Sequence, residues 1–291
     1  MIKIIESPRE AMQGIVPFIP SDVKAVYINA LLGVGFDTVE VGSFVSPKVI
    51  PQMSDTMEVL KQTGQTKTRS KRMVLVVNQK GADVASTFDG IDTISYPFSI
   101  SPRFSELNLN STPEKQLGIV NDISNLCLNS NKAFVVYISM AFGNPYGDEW
   151  SLEILSKWIR MLSKIGIRTI PFSNVSLELD KTLIAEVFSS LIPQYPEIEF
   201  GLHLHTSNDH WHEKVKAAYD NGCRRFDAVM QGMGGCPMTG KELLGNLATE
   251  NIIEFLKSKN EIPEGFDETA FWEASRLASE LLHNTSQRRL A

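Results

Sequence analysis

Eight short runs rich in Val, Ile, Phe and Tyr recur along the chain, and the segments between them are long enough for helices. The runs are IKIIE (2–6), FDTVEVG (36–42), RMVLVV (72–77), DTISYPF (92–98), KAFVVYIS (132–139), IRTIPFS (167–173), IEFGLHLH (198–205) and RRFDAVM (224–230). Strands covered on both faces by helices stay nearly continuously apolar, as these do. Eight strand–helix units in roughly 250 residues form an α/β fold that closes on itself, a (β/α)8 TIM barrel. The alternative is a doubly wound open sheet. Its dinucleotide-binding form would carry GxGxxG after the first strand, whereas the turn here reads ESPREAMQG.

The intervening segments carry helix signals. SDVKAVYINALLGVG (21–35) opens on a Ser expected to cap it and stops at Gly33 and Gly35. STPEKQLGIVNDISNLCLN (111–129) has Ser111 or Thr112 as cap and Pro113 in its first turn. SLEILSKWIRMLSKIG (151–166) runs from Ser151 to Gly166, and DKTLIAEVFSSLIPQYP and NDHWHEKVKAAYDNG follow the same logic. DETAFWEASRLASELLHN, from residue 267, adds a helix beyond the eighth unit. The expected organisation is one catalytic barrel domain over 1–291, with the barrel at about 2–260 and a C-terminal helical extension at about 265–285. Phe271, Trp272, Leu277 and Leu281 would set that helix against its own barrel or a second subunit, and a homodimer is the expected assembly.

Charge and cysteine usage narrow the function. A net charge of −6 argues against a nucleic-acid partner. The one basic run, TKTRSKR (66–72), lies between a helix-like and a strand-like segment and reads as a solvated loop. Cys127, Cys223 and Cys236 lack CxxC spacing, so neither a disulfide framework nor a zinc knuckle is indicated. The start, MIKIIESPRE, turns polar too early for a signal peptide, and no apolar window is long enough to span a membrane. The expected setting is soluble and cytoplasmic.

In a barrel the chemistry gathers at the C-terminal strand ends. Arg9, Glu10 and Gln13 follow the first run, and Glu40, Ser43 and Lys48 lie at and after the second. Ser173 and Asn174 end the sixth, and GMGGCPMTGKELLGN after the eighth holds Cys236 and Asn246. The seventh ends in GLHLHT, where His203 and His205 point to the same side of a strand. Two adjacent imidazoles suit a divalent ion, with a carboxylate from the first strand and the Asn246 amide completing the protein's share. Such N/O donors with open positions suit Mg²⁺ or Mn²⁺, and Zn²⁺ is also compatible. From the pair alone, hydrogen bonding to neighbouring loops is an equal alternative. His210 and His212 lie past the strand in a helix and read as structural.

These motifs resemble the 3-hydroxy-3-methylglutaryl-CoA lyases, within the metal-dependent barrel lyases, aldolases and acyl-CoA condensing enzymes. The resemblance runs from about residue 2 to 255. It rests on SPREAMQ, VEVGSFVSPKVIPQM, YISMAFGNPYGD, GLHLHT, GMGGCPM and GNLATE, of which SFVSPK and GGCP are specific to the lyase branch. It implies retro-Claisen cleavage of 3-hydroxy-3-methylglutaryl-CoA into acetoacetate and acetyl-CoA, with an acyl-CoA as the small-molecule partner and a divalent metal as cofactor. A different 3-hydroxyacyl-CoA, a 2-oxo acid, or a non-catalytic acyl-CoA- or partner-binding barrel are the alternatives.

Carried over by position, Arg9 resembles the arginine that stabilises the enolate, Cys236 a thiol on a glycine-rich loop, and Glu40 an acid that positions Arg9. Glu10, His203, His205 and Asn246 resemble the metal ligands. Gln13, Ser43, Lys48 and Asn174 are the candidate substrate contacts, and Lys48 and Arg103 are candidates for the CoA phosphates. Three positions depart from the family pattern. Glu10 stands where the family has Asp, adding a methylene and roughly 1.5 Å of reach. Asn174 stands where the family has Asp, and an amide cannot be a general base. A basic residue usual in the loop after the Arg9–Glu10 pair is replaced, by Val16 or its neighbours.

Overall fold

The computed structural model describes residues 1–64, 68–174, 178–207, 209–235 and 244–287. Eight parallel strands close into a barrel in sequence order: β1 Lys3–Glu6, β2 Thr38–Ser43, β3 Lys71–Leu75, β4 Thr93–Ser99, β5 Ala133–Ser139, β6 Thr169–Ser173, β7 Glu199–His203 and β8 Arg225–Ala228. β8 returns to pair with β1, with Ile5 opposite Asp227, so the sheet has no edge. All eight apolar runs are strands, and the open-sheet alternative is excluded.

The helices are α1 Pro8–Gln13, α2 Ser21–Val34, α3 Thr56–Gln62, α4 Gln79–Ser86, α5 Pro102–Leu109, α6 Pro113–Asn129, α7 Leu152–Ile165, α8 Lys181–Gln194, α9 Trp211–Asp220, α10 Thr249–Ser258 and α11 Glu268–Gln287. Thr112 caps α6 by accepting from the Lys115 N–H, and Ser151 caps α7 likewise through Ile154. Gly35 and Gly166 end their helices in the left-handed conformation that glycine adopts without a Cβ penalty. Ser21 departs from expectation. Pro20 precedes the helix, and the Ser21 hydroxyl lies inside the first turn, donating to Asp55 at 2.7 Å. Asp55 also holds the buried Lys24 at 2.6 Å, so this carboxylate draws both groups of α2 towards α3.

The core has two parts. Alternate strand residues such as Val39, Val74, Ile94, Val136, Phe172 and Leu202 face outward under the helices, in one continuous cluster. Ile5, Met73, Val135 and Tyr137 form a separate cluster inside the barrel. Below them, Arg225 fills the interior where Gly201 leaves room for it. A Cβ on Gly201 would lie 2.8 Å from the Arg225 Cδ. Arg225 pairs with Glu199 at 3.3 Å, and Glu199 in turn with Lys3, closing the barrel floor with charge.

α11 packs on α2 of its own barrel, burying Phe271 and Leu281 while Trp272 stays exposed. Of the basic run, Lys71 and Arg72 begin β3, and residues 66 and 67 lie outside the described residues. Among the described residues, no helix is long and apolar enough to cross a membrane.

Candidate active site

Helix α1 brings the first group of polar residues to the mouth of the barrel. It is only six residues long, begins on Pro8 and directly follows β1. Arg9 and Gln13, four residues apart, share one of its faces, and the Arg9 Nη1 donates to the Gln13 Oε1 at 3.0 Å. Arg9 donates to the Glu40 Oε2 through both Nε, at 2.9 Å, and Nη2, at 2.6 Å. Its Nη2 also donates to the Glu10 Oε1 at 2.9 Å. The guanidinium is buried between two carboxylates and an amide. Burial works against its charge, but Glu40 and then Glu10 outweigh it and raise its pKa. Burial beats Arg9 at Glu40, whose carboxyl is pushed up.

Glu10 joins this group to the histidines. Its Oε2 lies 3.4 Å from the His203 Nε2. One ligand atom from each of Glu10, His203 and His205 falls within 4.8 Å of the others, and all three residues are buried. The imidazoles lie 5.1 Å apart, as expected for i and i+2 at a strand end. Burial raises the Glu10 carboxyl, but the charges of His203 and Arg9 hold it well below the usual range. His203 shows the converse: burial pulls it down, yet Glu10 and Asp227 push it up to about 10. His205, with burial and the neighbouring His203 charge against it, falls to about 4 and is neutral.

Among the described residues, two buried atoms of this cluster have no hydrogen bond: the Glu10 Oε2, which has only the 3.4 Å approach of His203, and the His205 Nδ1. An unpaired buried acceptor is costly unless something satisfies it. A lone carboxylate and a neutral imidazole, with His203 between them, form an N, N, O donor set that fits a divalent cation.

The other candidates are placed as follows. Asn246 is buried, lies in a backbone bridge with His205, and donates from Nδ2 to the Met233 carbonyl at 2.7 Å. Asn174 is turned towards the His205 backbone, with its Oδ1 accepting from the N–H at 2.8 Å and its Nδ2 donating to the C=O at 2.7 Å. Ser43 is buried at the end of β2, its hydroxyl without a hydrogen bond among the described residues. Lys48 is exposed, as is Arg103, which pairs with Glu106 at 2.8 Å. Cys236 lies outside the described residues. His210 and His212 are exposed at the start of α9.

A cavity of about 820 Å³ opens over the cluster. Arg9, Glu10, Gln13, Glu40, His203 and His205 line its inner end. Its outer wall is apolar, with Val49, Ile50, Phe104, Leu107 and Ile119, and its rim carries Asn108, Asn110, Ser111 and Lys115.

Sequence reasoning missed two residues beside the histidines. Asp227, on β8, places its Oδ2 3.3 Å from the His203 Nδ1. Tyr137, on β5, sets its ring at 85° to the His203 imidazole, 5.7 Å between centroids. A lone acid inside an apolar run was the available signal for Asp227. Nothing in its strand marked Tyr137.

The HMGL-like family model matches residues 2–278. The chain belongs to the HMGL-like family. It is 28% identical over 250 residues to hydroxymethylglutaryl-CoA lyase of Bacillus subtilis, covering 86% of this chain and 83% of that one. It is 26% identical over 281 residues to (R)-citramalyl-CoA lyase of Chloroflexus aurantiacus, covering 92% and 87%. The solved HMG-CoA lyase from Acinetobacter baumannii, in complex with coenzyme A and 3-methylmalate, is 27% identical with a TM-score of 0.86, covering 96% of this chain and 92% of that one. These HMGL-like relatives are lyases, and the similarity spans the barrel and the strand ends that carry Arg9, Glu10 and the histidines.

Proposed function

We propose that this protein is a divalent-metal-dependent carbon–carbon lyase that cleaves 3-hydroxy-3-methylglutaryl-CoA to acetoacetate and acetyl-CoA. The observation that carries the reading is the pair of buried atoms without a hydrogen bond among the described residues, Glu10 Oε2 and His205 Nδ1, converging with His203 beside the locked Arg9. Glu10, His203, His205 and Asn246 would hold the ion, Mg²⁺ or Mn²⁺ suiting this donor set and Zn²⁺ also compatible. When bound, the ion supplies Lewis acidity that makes the substrate hydroxyl easier to deprotonate.

Beyond the ion, the cleavage is proton-neutral: one proton leaves the substrate hydroxyl and one is delivered to the enolate carbon. Loss of the hydroxyl proton lets the adjacent carbon–carbon bond break, forming the ketone of acetoacetate and leaving the bonding pair as the enolate of acetyl-CoA. That enolate then takes a proton at carbon. Arg9 stabilises the enolate oxygen with a fixed charge that needs no reorganisation, because Glu40, Glu10 and Gln13 already hold it. The apolar outer wall suits the pantetheine arm and excludes water from the reacting carbons. Lys115 at the rim and the exposed Lys48 are available to the CoA phosphates.

A second reading keeps the chemistry and changes the acyl group. It is favoured by the 26% identity to a citramalyl-CoA lyase over 92% of this chain. The test is to load the protein with Mg²⁺, Mn²⁺ or Co²⁺ and incubate it with each thioester separately. Release of acetoacetate and acetyl-CoA from hydroxymethylglutaryl-CoA supports the first reading. Pyruvate and acetyl-CoA from citramalyl-CoA alone would replace it with the second. No cleavage of either with any ion removes both.

A further inference from the structure

We propose that Asp227 is a positioning residue that fixes the orientation and tautomer of His203, so that Nε2 is the nitrogen presented to the ion. The proposal rests on the metal reading of the site and adds a residue to it that contacts neither ion nor substrate. His203 and Asp227 are register partners on β7 and β8. Both side chains point into the barrel and are buried there. The Asp227 Oδ2 lies 3.3 Å from the His203 Nδ1, while the opposite nitrogen, Nε2, faces the Glu10 Oε2 at 3.4 Å. A carboxylate can only accept, so Asp227 keeps a hydrogen on Nδ1, and where an ion replaces the proton that Nε2 shares with Glu10, Nε2 is the nitrogen that would offer its lone pair. The Tyr137 ring packs edge-on to the imidazole, 5.7 Å between centroids.

Asp227 is itself held from below. It is buried, and the Arg225 Nε lies 3.7 Å from its Oδ1. Arg225 is in turn paired with Glu199, and Glu199 with Lys3. Followed upward, Lys3, Glu199, Arg225, Asp227, His203, Glu10, Arg9 and Glu40 alternate in sign from the barrel floor to its mouth. This column gives a carboxylate deep inside a barrel a counter-charge from below and leaves its other oxygen directed at the imidazole. An outer partner of this kind raises the basicity of a ligating histidine and fixes its ring.

The test compares the unaltered protein with D227N and H203A by Mn²⁺ titration followed by electron paramagnetic resonance, with thermal unfolding recorded on each. D227N keeps the side-chain shape, and its Mn²⁺ dissociation constant is expected to rise by roughly 10–100-fold, while its melting temperature falls as Arg225 loses a counter-charge. Unchanged Mn²⁺ affinity in D227N, alongside its loss in H203A, overturns the proposal and leaves the metal reading standing. Failure of the unaltered protein to bind Mn²⁺, Mg²⁺ or Zn²⁺ overturns both. Should D227N not fold, long-range ¹H–¹⁵N histidine spectra of the unaltered, Zn²⁺-loaded protein decide the matter. His203 is expected to be protonated at Nδ1, and a proton on Nε2 instead overturns the proposal.

Discussion

Asn174 pairs with the backbone of His205 in both directions, accepting from its N–H at 2.8 Å and donating to its C=O at 2.7 Å. His205 lies beyond the last residue of β7, where the parallel ladder no longer fixes the chain and one isolated bridge to Asn246 remains. The amide takes over that task, and only an amide can, since the pairing needs one acceptor and one donor. An aspartate would accept from the N–H but set a carboxylate oxygen against the carbonyl. N174D is therefore expected to destabilise the fold by roughly 1–3 kcal/mol and to loosen His205. Urea unfolding and Mn²⁺ titration check this. Gains in stability and in Mn²⁺ affinity would show that the position prefers the acid.

Gly201 is the second point where one small choice supports the site. Its missing Cβ is what lets Arg225 lie across the barrel interior. G201A sets a methyl group 2.8 Å from the Arg225 Cδ, a contact that requires one of them to move. Arg225 is buried and paired with Glu199, so it has little freedom to yield. A loss of roughly 1–3 kcal/mol is expected, typical of overpacking a filled core. G201S should cost at least as much. A melting temperature unchanged in both variants would show that the interior has slack.

The strands were legible because burial on both faces makes each an apolar run, and eight such runs admit few closures. The long capped helices were legible for a similar reason, their stop and start residues being distinctive. Helix α1 was not. It has six residues, too few for a periodic stripe, and its buried members include Arg9 and Glu10, which read as polar loop residues. At the site, strand-end logic reached Arg9, Glu10, Glu40, His203 and His205, because polar residues at those ends stand out. It did not reach Asp227 or Tyr137. In a strand covered on both faces, alternation does not say which residues face inward, so a strand-interior acid carries no address until register is known. Asn174 was visible as a departure from the family, but its hydrogen-bonding direction was not.

Glu6 is a buried acid outside the catalytic cluster, and it sets a pH dependence. Its carboxyl accepts from the Met230 N–H at 3.0 Å and pairs with the Thr249 hydroxyl at 2.5 Å. Burial outweighs these contacts and raises its pKa from 4.5 to about 8. The folded state then holds a proton that the unfolded chain releases near pH 4.5. The associated stability is fully present below that pH and is lost as pH rises through about 8. The slope in this window is at most about 1.4 kcal/mol per pH unit for one proton. E6Q keeps an acceptor and removes the titration. Urea unfolding at several pH values should show E6Q gaining on the unaltered protein as pH rises from 5 to about 8 and levelling off beyond it. A constant difference between the two would mean that Glu6 is ionised throughout.

Glu10 joins the two halves of the site, with one oxygen on Arg9 at 2.9 Å and the other 3.4 Å from His203. Its extra methylene, relative to the aspartate of the resembling family, still brings the carboxylate to the histidines. E10Q preserves length and shape but removes the negative charge and makes one terminal atom a donor. If the Oε2, which makes no hydrogen bond among the described residues, is a ligand, Mn²⁺ affinity should fall by at least the roughly 10–100-fold seen on losing an outer partner. Arg9 should hold its place, because Glu40 grips it through two donors. E40Q is the matching control: it weakens the grip on Arg9 and should lower turnover while leaving Mn²⁺ affinity within a few-fold of the starting value. If E10Q bound Mn²⁺ as tightly as the unaltered protein while E40Q lost it, the carboxylate that completes the histidine pair would be Glu40.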